Sequence, residues 1–288
     1  MDPSYALCRV YDTFKEASPR FDVSWYSHSD KPTPATSHPR SFEGGRDRRR
    51  EIGNSVFVDY DGVILANLDV LNLTMSWGGL LAQQTIGKLT YALIGGEGGW
   101  IDYLQWRRPE CYGYVIVPRD GKLAESIVYD LLTIYYGQDN TGKIATNAES
   151  FADYVRGIQV DGVDLALSQE GGTQALLACV RCLKEGGTCV IQYTQPELLY
   201  LMALSFGQVT LFRPLADSRK LYCVGRGYHK SDIVDRLRSG QLPQLSEGFV
   251  QWLNSLPDPS YPINLARAKA IWAIPDSRGP PTGLTMTY

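Results

Sequence analysis

Long apolar runs are missing from this chain. No stretch approaches the roughly 18 residues of a membrane-spanning helix, so no membrane contact of that kind is expected. Histidine is scarce, and the three at 28, 38 and 229 are too scattered to supply a metal's ligands. There is no excess of charge: 28 basic residues stand against 31 acidic ones, a formal net charge of −3. Such a balance creates no global field for nucleic acid, so any RNA contact has to use a local patch. A second cysteine pair is also missing. Cys179 and Cys182 form a CxxC within the helical pattern ALLACVRCLK, which reads as buried helix cysteines rather than a zinc site. Six cysteines spread over 288 residues, with no secretory leader in view, imply a reducing, intracellular setting such as cytoplasm, nucleus or virion.

What is present describes a globular protein. A hydrophobic share of 44% beside 20% charged residues is enough for a substantial core at this length. Residues 1–54 read as an N-terminal arm, rich in Pro, Ser and Thr. Tyr5, Phe14, Phe21 and Trp25 make it too aromatic for a pure linker, so it is expected to pack on the domain or on a partner protein. The arm closes on GGRDRRRE, whose Arg46, Arg48, Arg49 and Arg50 form either a solvated loop or a phosphate-binding patch. Residues 55–228 carry alternating apolar segments. Helices are expected at Val56–Trp77, Asn147–Arg156 (with Asn147 and Ser150 as caps), Thr173–Lys184 (stopped by Gly186 and Gly187) and Pro196–Phe206. Strands are expected at Leu89–Ile94, Tyr112–Val117, the end of Ser126–Tyr135, Val163–Ser168, Thr188–Tyr193, Val209–Phe212 and Leu221–Val224.

This alternation predicts an α/β fold, a doubly wound and mainly parallel seven-stranded Rossmann-like sheet. The short link between the last two strands requires one of them to run antiparallel. Helical patterns at Ser231–Arg238, Glu247–Leu256 and Leu265–Ile274 form a C-terminal extension over 229–275, and 276–288 is a flexible tail suited to docking on a partner protein.

Leu89–Trp106 (LTYALIGGEGGWIDYLQW) joins a strand to a helix through Gly95, Gly96, Glu97, Gly98 and Gly99. Glycines there let backbone approach a ligand closely, beside helix N–H groups, at the carboxyl end of a strand. Gly95–Gly99 with Trp100 are the candidate cofactor-binding residues, and Asp120 after the second strand is a candidate partner for ribose hydroxyls. A nicotinamide-binding oxidoreductase is the less favoured reading, since the loop lacks a clean GxGxxG.

Six ordered segments over roughly residues 55–226 resemble the ribose 2′-O-methyltransferases of the FtsJ/RrmJ superfamily, particularly the mRNA-cap enzymes. They are Val56–Asp69, the GGEGGW loop ending in Trp106–Arg107, Tyr136–Ile144 (YGQDNTGKI), Val163–Gly172, Leu183–Gln192 (LKEGGTCVIQ) and the Phe212–Val224 pattern. The resemblance implies the S-adenosylmethionine-dependent methyltransferase fold, S-adenosylmethionine as cofactor and RNA as partner, with Arg107 and Arg108 joining Arg46–Arg50 as RNA candidates.

It also implies a Lys-Asp-Lys-Glu tetrad, which this chain lacks. The first lysine falls on Ile64, the aspartate on Gln169 or Glu170, the second lysine on Gln192 and the glutamate on Lys220. A ribose hydroxyl of very high pKa must lose its proton as it attacks, and Gln192 has no titratable amine to assist. Lys143 stands where the relatives carry an acid near the adenosine. Glu97 puts a carboxylate where it would repel a methionine carboxylate unless turned outward. Only 13 residues separate Gly172 from Gly186, so the insertion that flanks the relatives' substrate groove is missing. The expectation is an inactive pseudo-methyltransferase with a structural, RNA-binding or scaffolding role in a viral or ribonucleoprotein assembly. The alternative is an active RNA methyltransferase that recruits Glu170, Asp69, Lys220 or Tyr193 instead.

Overall fold

The computed structural model describes residues 5–11, 20–26, 57–72, 80–81, 88–96, 98–119, 123, 127–212, 220–240, 242–245, 247 and 249–250. Arg46, Arg48, Arg49, Arg50, Glu97 and Asp120 lie outside these residues, as do the expected helix at Leu265–Ile274 and the tail.

Nine strands form one sheet: β1 (Tyr5–Tyr11), β2 (Arg20–Tyr26), β3 (Thr90–Ile94), β4 (Tyr112–Ile116), β5 (Leu132–Tyr135), β6 (Val163–Ser168), β7 (Leu183–Tyr193), β8 (Phe206–Phe212) and β9 (Leu221–Tyr228). The helices are α1 (Tyr60–Asn72), α2 (Gly99–Arg107), α3 (Ile144–Ile158), α4 (Thr173–Cys182), α5 (Pro196–Ala203) and α6 (Ile233–Ser239). The strand order is β2-β1-β8-β9-β7-β6-β3-β4-β5. Neighbours from β7 to β5 run parallel, while β9 is antiparallel to both β7 and β8. The seven strands β3–β9, with one reversed strand second from the end, are the Rossmann-like sheet of the methyltransferase fold. Two strands from the N-terminal segment extend the seven expected: β1 pairs with β8, and β2 with β1.

Side-chain alternation explains the two layers. Tyr91 and Leu93 of β3 face a core shared with Leu68 of α1 and Trp100, Tyr103 and Leu104 of α2. Ala92 and Ile94 face the opposite core, with Phe151 of α3, Leu176 and Cys179 of α4 and Leu199 of α5. β6 is buried along its whole length, as a central parallel strand covered on both faces must be.

Several expected boundaries shift, and Phe206, expected in the helix opened by Pro196, opens β8 instead. α3 begins at Ile144 with Lys143 at its N-cap, so neither Asn147 nor Ser150 is the cap. Asn147 sits one turn in, where its Oδ1 accepts from the Gln138 N–H and its Nδ2 donates to the Asp139 carboxylate and the Lys143 carbonyl. α4 ends at Cys182, before the glycines, because Leu183 is already extended and opens β7. Gly186 and Gly187 therefore lie within the strand.

Candidate functional site

The carboxyl ends of β3, β6 and β7 converge on the glycine loop. Gly95, Gly96 and Gly98 have φ of 76°, 109° and 113°, a left-handed run that side-chain-bearing residues avoid. The Gly95 N–H donates to the Ile116 carbonyl at 2.9 Å, which fastens the loop to the end of β4. Ser168, the last residue of β6, donates its hydroxyl to the Ile94 carbonyl (3.0 Å) and accepts from the Glu170 N–H (3.2 Å). The next turn is pressed against β7: a Cβ on Gly171 would lie 2.7 Å from the Gln192 carbonyl.

Gln169 and Glu170 consequently lean over the loop. A Cβ on Gly96 would collide with the Gln169 amide, and one on Gly95 would lie 2.9 Å from Glu170 Oε1. Gln169 is only 7% exposed, and its buried Nε2 has no hydrogen-bond partner. An amide donor withdrawn from water without a partner is costly. Glu170 is exposed, and partial desolvation pushes its carboxyl above the usual range.

The N-terminus of α2 carries a tenant that sequence reasoning missed. Asp59 Oδ2 accepts the Gly99 N–H at 2.9 Å, and its Oδ1 accepts the Asp61 N–H at 2.8 Å. In return Asp102 of α2 accepts the Val58 N–H at 2.9 Å. The lead-in to α1 is thus stapled across the helix end that a ligand's carboxylate would otherwise use. Acidic residues flanking a helix start were visible in VFVDYDG and GGWIDY, but the long-range pairing was not.

In the loop before α3, Asp139 is spent on its own neighbours. It accepts from the Thr141 N–H and hydroxyl, the Thr146 hydroxyl and the Asn147 amide, bonds that hold its carboxyl well below the usual range. Lys143 is exposed at the N-cap of α3.

Of the tetrad-equivalent positions, Gln169 and Glu170, Gln192 and Lys220 lie at one edge of the sheet, where β6 and β7 end and the antiparallel β9 begins. Ile64 is buried among the apolar side chains of α1, Gln192 lies in β7 opposite Tyr222, and Lys220 is exposed just before β9. Lys184 pairs with Asp164 at the opposite end of the sheet, and Lys88 stands 5.8 Å from the Tyr112 ring at that same end.

Two further expectations are corrected. Trp100 is fully buried with its ring 5.6 Å from that of Tyr222, so it supports the loop from below and offers no face to a cofactor. Asp69 is buried toward the amino ends of the strands, remote from the loop, and cannot be recruited there. It accepts from Leu80 N–H (2.5 Å), Leu81 N–H (3.4 Å) and the Tyr103 hydroxyl (2.8 Å). Arg107, partly exposed, has its Nε 3.8 Å from that carboxylate. Arg108 instead lines a shallow cavity of about 230 Å³ with Lys88, Glu110 and Cys111, again at the amino end of the sheet. Cys179 and Cys182 are buried free thiols, and no metal-binding cluster occurs among the described residues. No helix among those residues is long and apolar enough to cross a membrane.

No family model matches the chain, and no curated protein does. Solved structures do. A Plasmodium falciparum protein provisionally described as a ribosomal RNA methyltransferase is 16% identical, covering 57% of this chain and 96% of its own, at a TM-score of 0.36. A Corynebacterium glutamicum protein provisionally described as a spermidine synthase is 12% identical over 100% of this chain and 99% of its own, at 0.41. An O-methyltransferase family protein of Burkholderia thailandensis is 12% identical over 76% and 80%, at 0.39. At such scores these likenesses carry no functional argument, and the strand order and the loop must speak for themselves.

Proposed function

We propose that this is a pseudo-methyltransferase: a methyltransferase-fold protein that keeps a cradle for S-adenosylmethionine or its demethylated product and has lost the groups for ribose methyl transfer. Its role would be structural, RNA-binding or scaffolding, within a viral or ribonucleoprotein assembly, with protein contacts through the N-terminal segment and the 276–288 tail. The observation that carries this reading is the side-chain set at the carboxyl ends of β6 and β7. Gln169 and Glu170 stand at one, Gln192 and Tyr193 at the other, and no lysine lies between 185 and 195.

The residues present fit an adenosyl amino acid in part. The left-handed glycines admit close backbone approach, and the orphaned Gln169 amide offers a donor beside Gly96. S-adenosylmethionine would supply an electrophilic methyl group there. The chain's own share of the reaction, deprotonating an alcohol during attack, needs a base of suitable pKa. An amide at 192 supplies none.

Glu170 gives the second reading its one support. A carboxyl raised by desolvation beside the loop is the kind of group that can accept a proton, so an active methyltransferase with a carboxylate base is the competing proposal.

The test is methyl transfer from radiolabelled S-adenosylmethionine to capped and uncapped RNA, with binding followed by calorimetry on the full chain. The expected outcome is binding without turnover. Robust turnover that disappears in Glu170→Gln would overturn the pseudoenzyme reading in favour of the second.

A further inference from the structure

We propose that the cavity at the amino end of the sheet is a site for one phosphate group, held between Lys88 and Arg108, either as a phosphodiester of RNA or as the free anion. The RNA source rests on the RNA-binding part of the reading above, and the chemistry of the site does not depend on it.

Three short segments build the cavity, at the opposite end of the sheet from the glycine loop. Lys88 and Leu89 lead into β3, Arg108 caps the carboxyl end of α2, and Pro109, Glu110 and Cys111 lead into β4. Together they line about 230 Å³. Backbone bonds fix all three. The Arg108 N–H donates to the Leu104 carbonyl at 2.8 Å, the Cys111 N–H to the Arg108 carbonyl at 2.9 Å, and the Tyr112 N–H to the Leu89 carbonyl at 2.9 Å. Two cations thus reach one cavity on anchored backbone, which lowers the ordering cost of binding.

Their charge is uncommitted. Of the other cations at this end, Arg107 lies close to Asp69 and Lys184 pairs with Asp164. Among the described residues neither Lys88 nor Arg108 has such a carboxylate partner. Lys88 Nζ instead stands 5.8 Å from the Tyr112 ring, a cation–π contact that leaves its N–H donors open. Both cations bear on the same wall: burial pushes the Cys111 thiol up to about 11, while the charges of Arg108 and Lys88 act in the opposite sense. Glu110 is the one carboxylate lining the cavity, so positive charge is in excess.

That excess and its geometry select the ligand. A phosphate is tetrahedral, so a guanidinium fork and an ammonium can approach it from different sides, whereas a flat carboxylate is met by the fork in one plane. The carbonyl end of α2 opposes an anion here. A single cation would be partly offset by it, and the second makes the site.

The test has two arms, both on the full chain. Fluorescence anisotropy follows a short labelled oligouridylate, and calorimetry follows inorganic phosphate, with acetate as the flat anion for comparison. Lys88→Gln and Arg108→Gln should each weaken binding about threefold and the double variant about tenfold, as loss of solvent-exposed charge pairs does. In the RNA arm the double variant should also flatten the salt dependence by about 0.7 in slope, the share of one single-stranded phosphate. Glu110→Gln should tighten binding about threefold, a gain that no misfolded variant produces. Lys230→Gln, which removes an exposed cation beyond β9 at the same end of the sheet, should change neither arm. Losses in the RNA arm assign the RNA backbone as the source, and loss of inorganic phosphate alone assigns the free anion. Unchanged affinity of the double variant in both arms, equal losses in Lys230→Gln, or acetate bound as tightly as phosphate overturns the site. If the wild-type chain binds no RNA, the RNA-binding role above falls while the phosphate arm still decides the site. Binding of neither probe overturns both.

Discussion

Single residues decide how closely the loops at the carboxyl edge can approach one another. Gly142 has φ of 69°, and a Cβ there would collide with the Val117 carbonyl, backbone that cannot swing aside. Gly172 has φ of 103° with nothing within 4 Å of an added Cβ. The two positions separate backbone strain from steric collision. Gly172→Ala should lower stability by about 1–2 kcal/mol through strain alone. Gly142→Ala should exceed it by at least about 1 kcal/mol, because β4 and the loop that precedes α3 must part. Urea unfolding of both variants checks the order, and equal losses would mean that the loop yields without resistance. The glycines themselves were readable in the sequence as loop markers, but which of them answer to a neighbour and which only to a dihedral angle was not.

Between elements, carboxylates do the joining. Asp59 and Asp102 exchange bonds between the lead-in to α1 and the start of α2, while Asp69 of α1 gathers Tyr103 and Arg107 of α2 and the Leu80–Leu81 backbone. Burial raises the Asp69 carboxyl despite these donors, and burial together with Asp69 pushes the Tyr103 phenol upward. Removing Asp69 takes the acceptor from the Leu80 N–H and the Tyr103 hydroxyl inside a buried layer. Asp69→Ala should therefore destabilise the protein by about 3–5 kcal/mol, more than the sum of its neutral hydrogen bonds, as measured by denaturant titration. A loss below about 1 kcal/mol would show that water replaces the carboxylate there. This staple explains which elements were legible. β3, β4 and β6 follow from periodicity because each obeys a local pattern, and the reversed β9 follows from the short link that joins it to β8. Asp69 was named as a recruitable catalytic group, but its burial is set by packing between α1 and α2, which no local pattern encodes. The Gln169 amide is a similar case. Its position was named from the family pattern, but its unpartnered burial against Gly96 depends on where three strand ends meet.

At the scale of the molecule, the sheet is longer than its methyltransferase-like core. In the seven-stranded unit, β8 would be a terminal strand with seven residues of open backbone, Phe206–Phe212. Here β1 covers that edge in register, Ala6 opposite Leu211 through Arg9 opposite Gln208, and β2 continues it from Tyr5–Tyr26 to Tyr11–Arg20. The segment expected as an arm on the domain or on a partner thus meets the sheet by strand addition, which uses main-chain bonds and leaves little trace in side-chain pattern. An uncovered edge of this kind is a template for pairing with another chain. A variant lacking residues 1–26 should retain the β3–β9 core, seen as a cooperative thermal transition. It should lose hydrogen-exchange protection at alternate amides of β8 and self-associate at concentrations where the full chain does not. Unchanged protection along Phe206–Phe212 would mean that the edge is sealed by something other than β1. Loss of the transition altogether would make the hairpin part of the folding unit rather than its cover. In the first case the carboxyl edge, with Gln169 and Glu170 over the glycine loop, should keep its geometry, because β6 and β3 lie at the centre of the order and β8 near its far end.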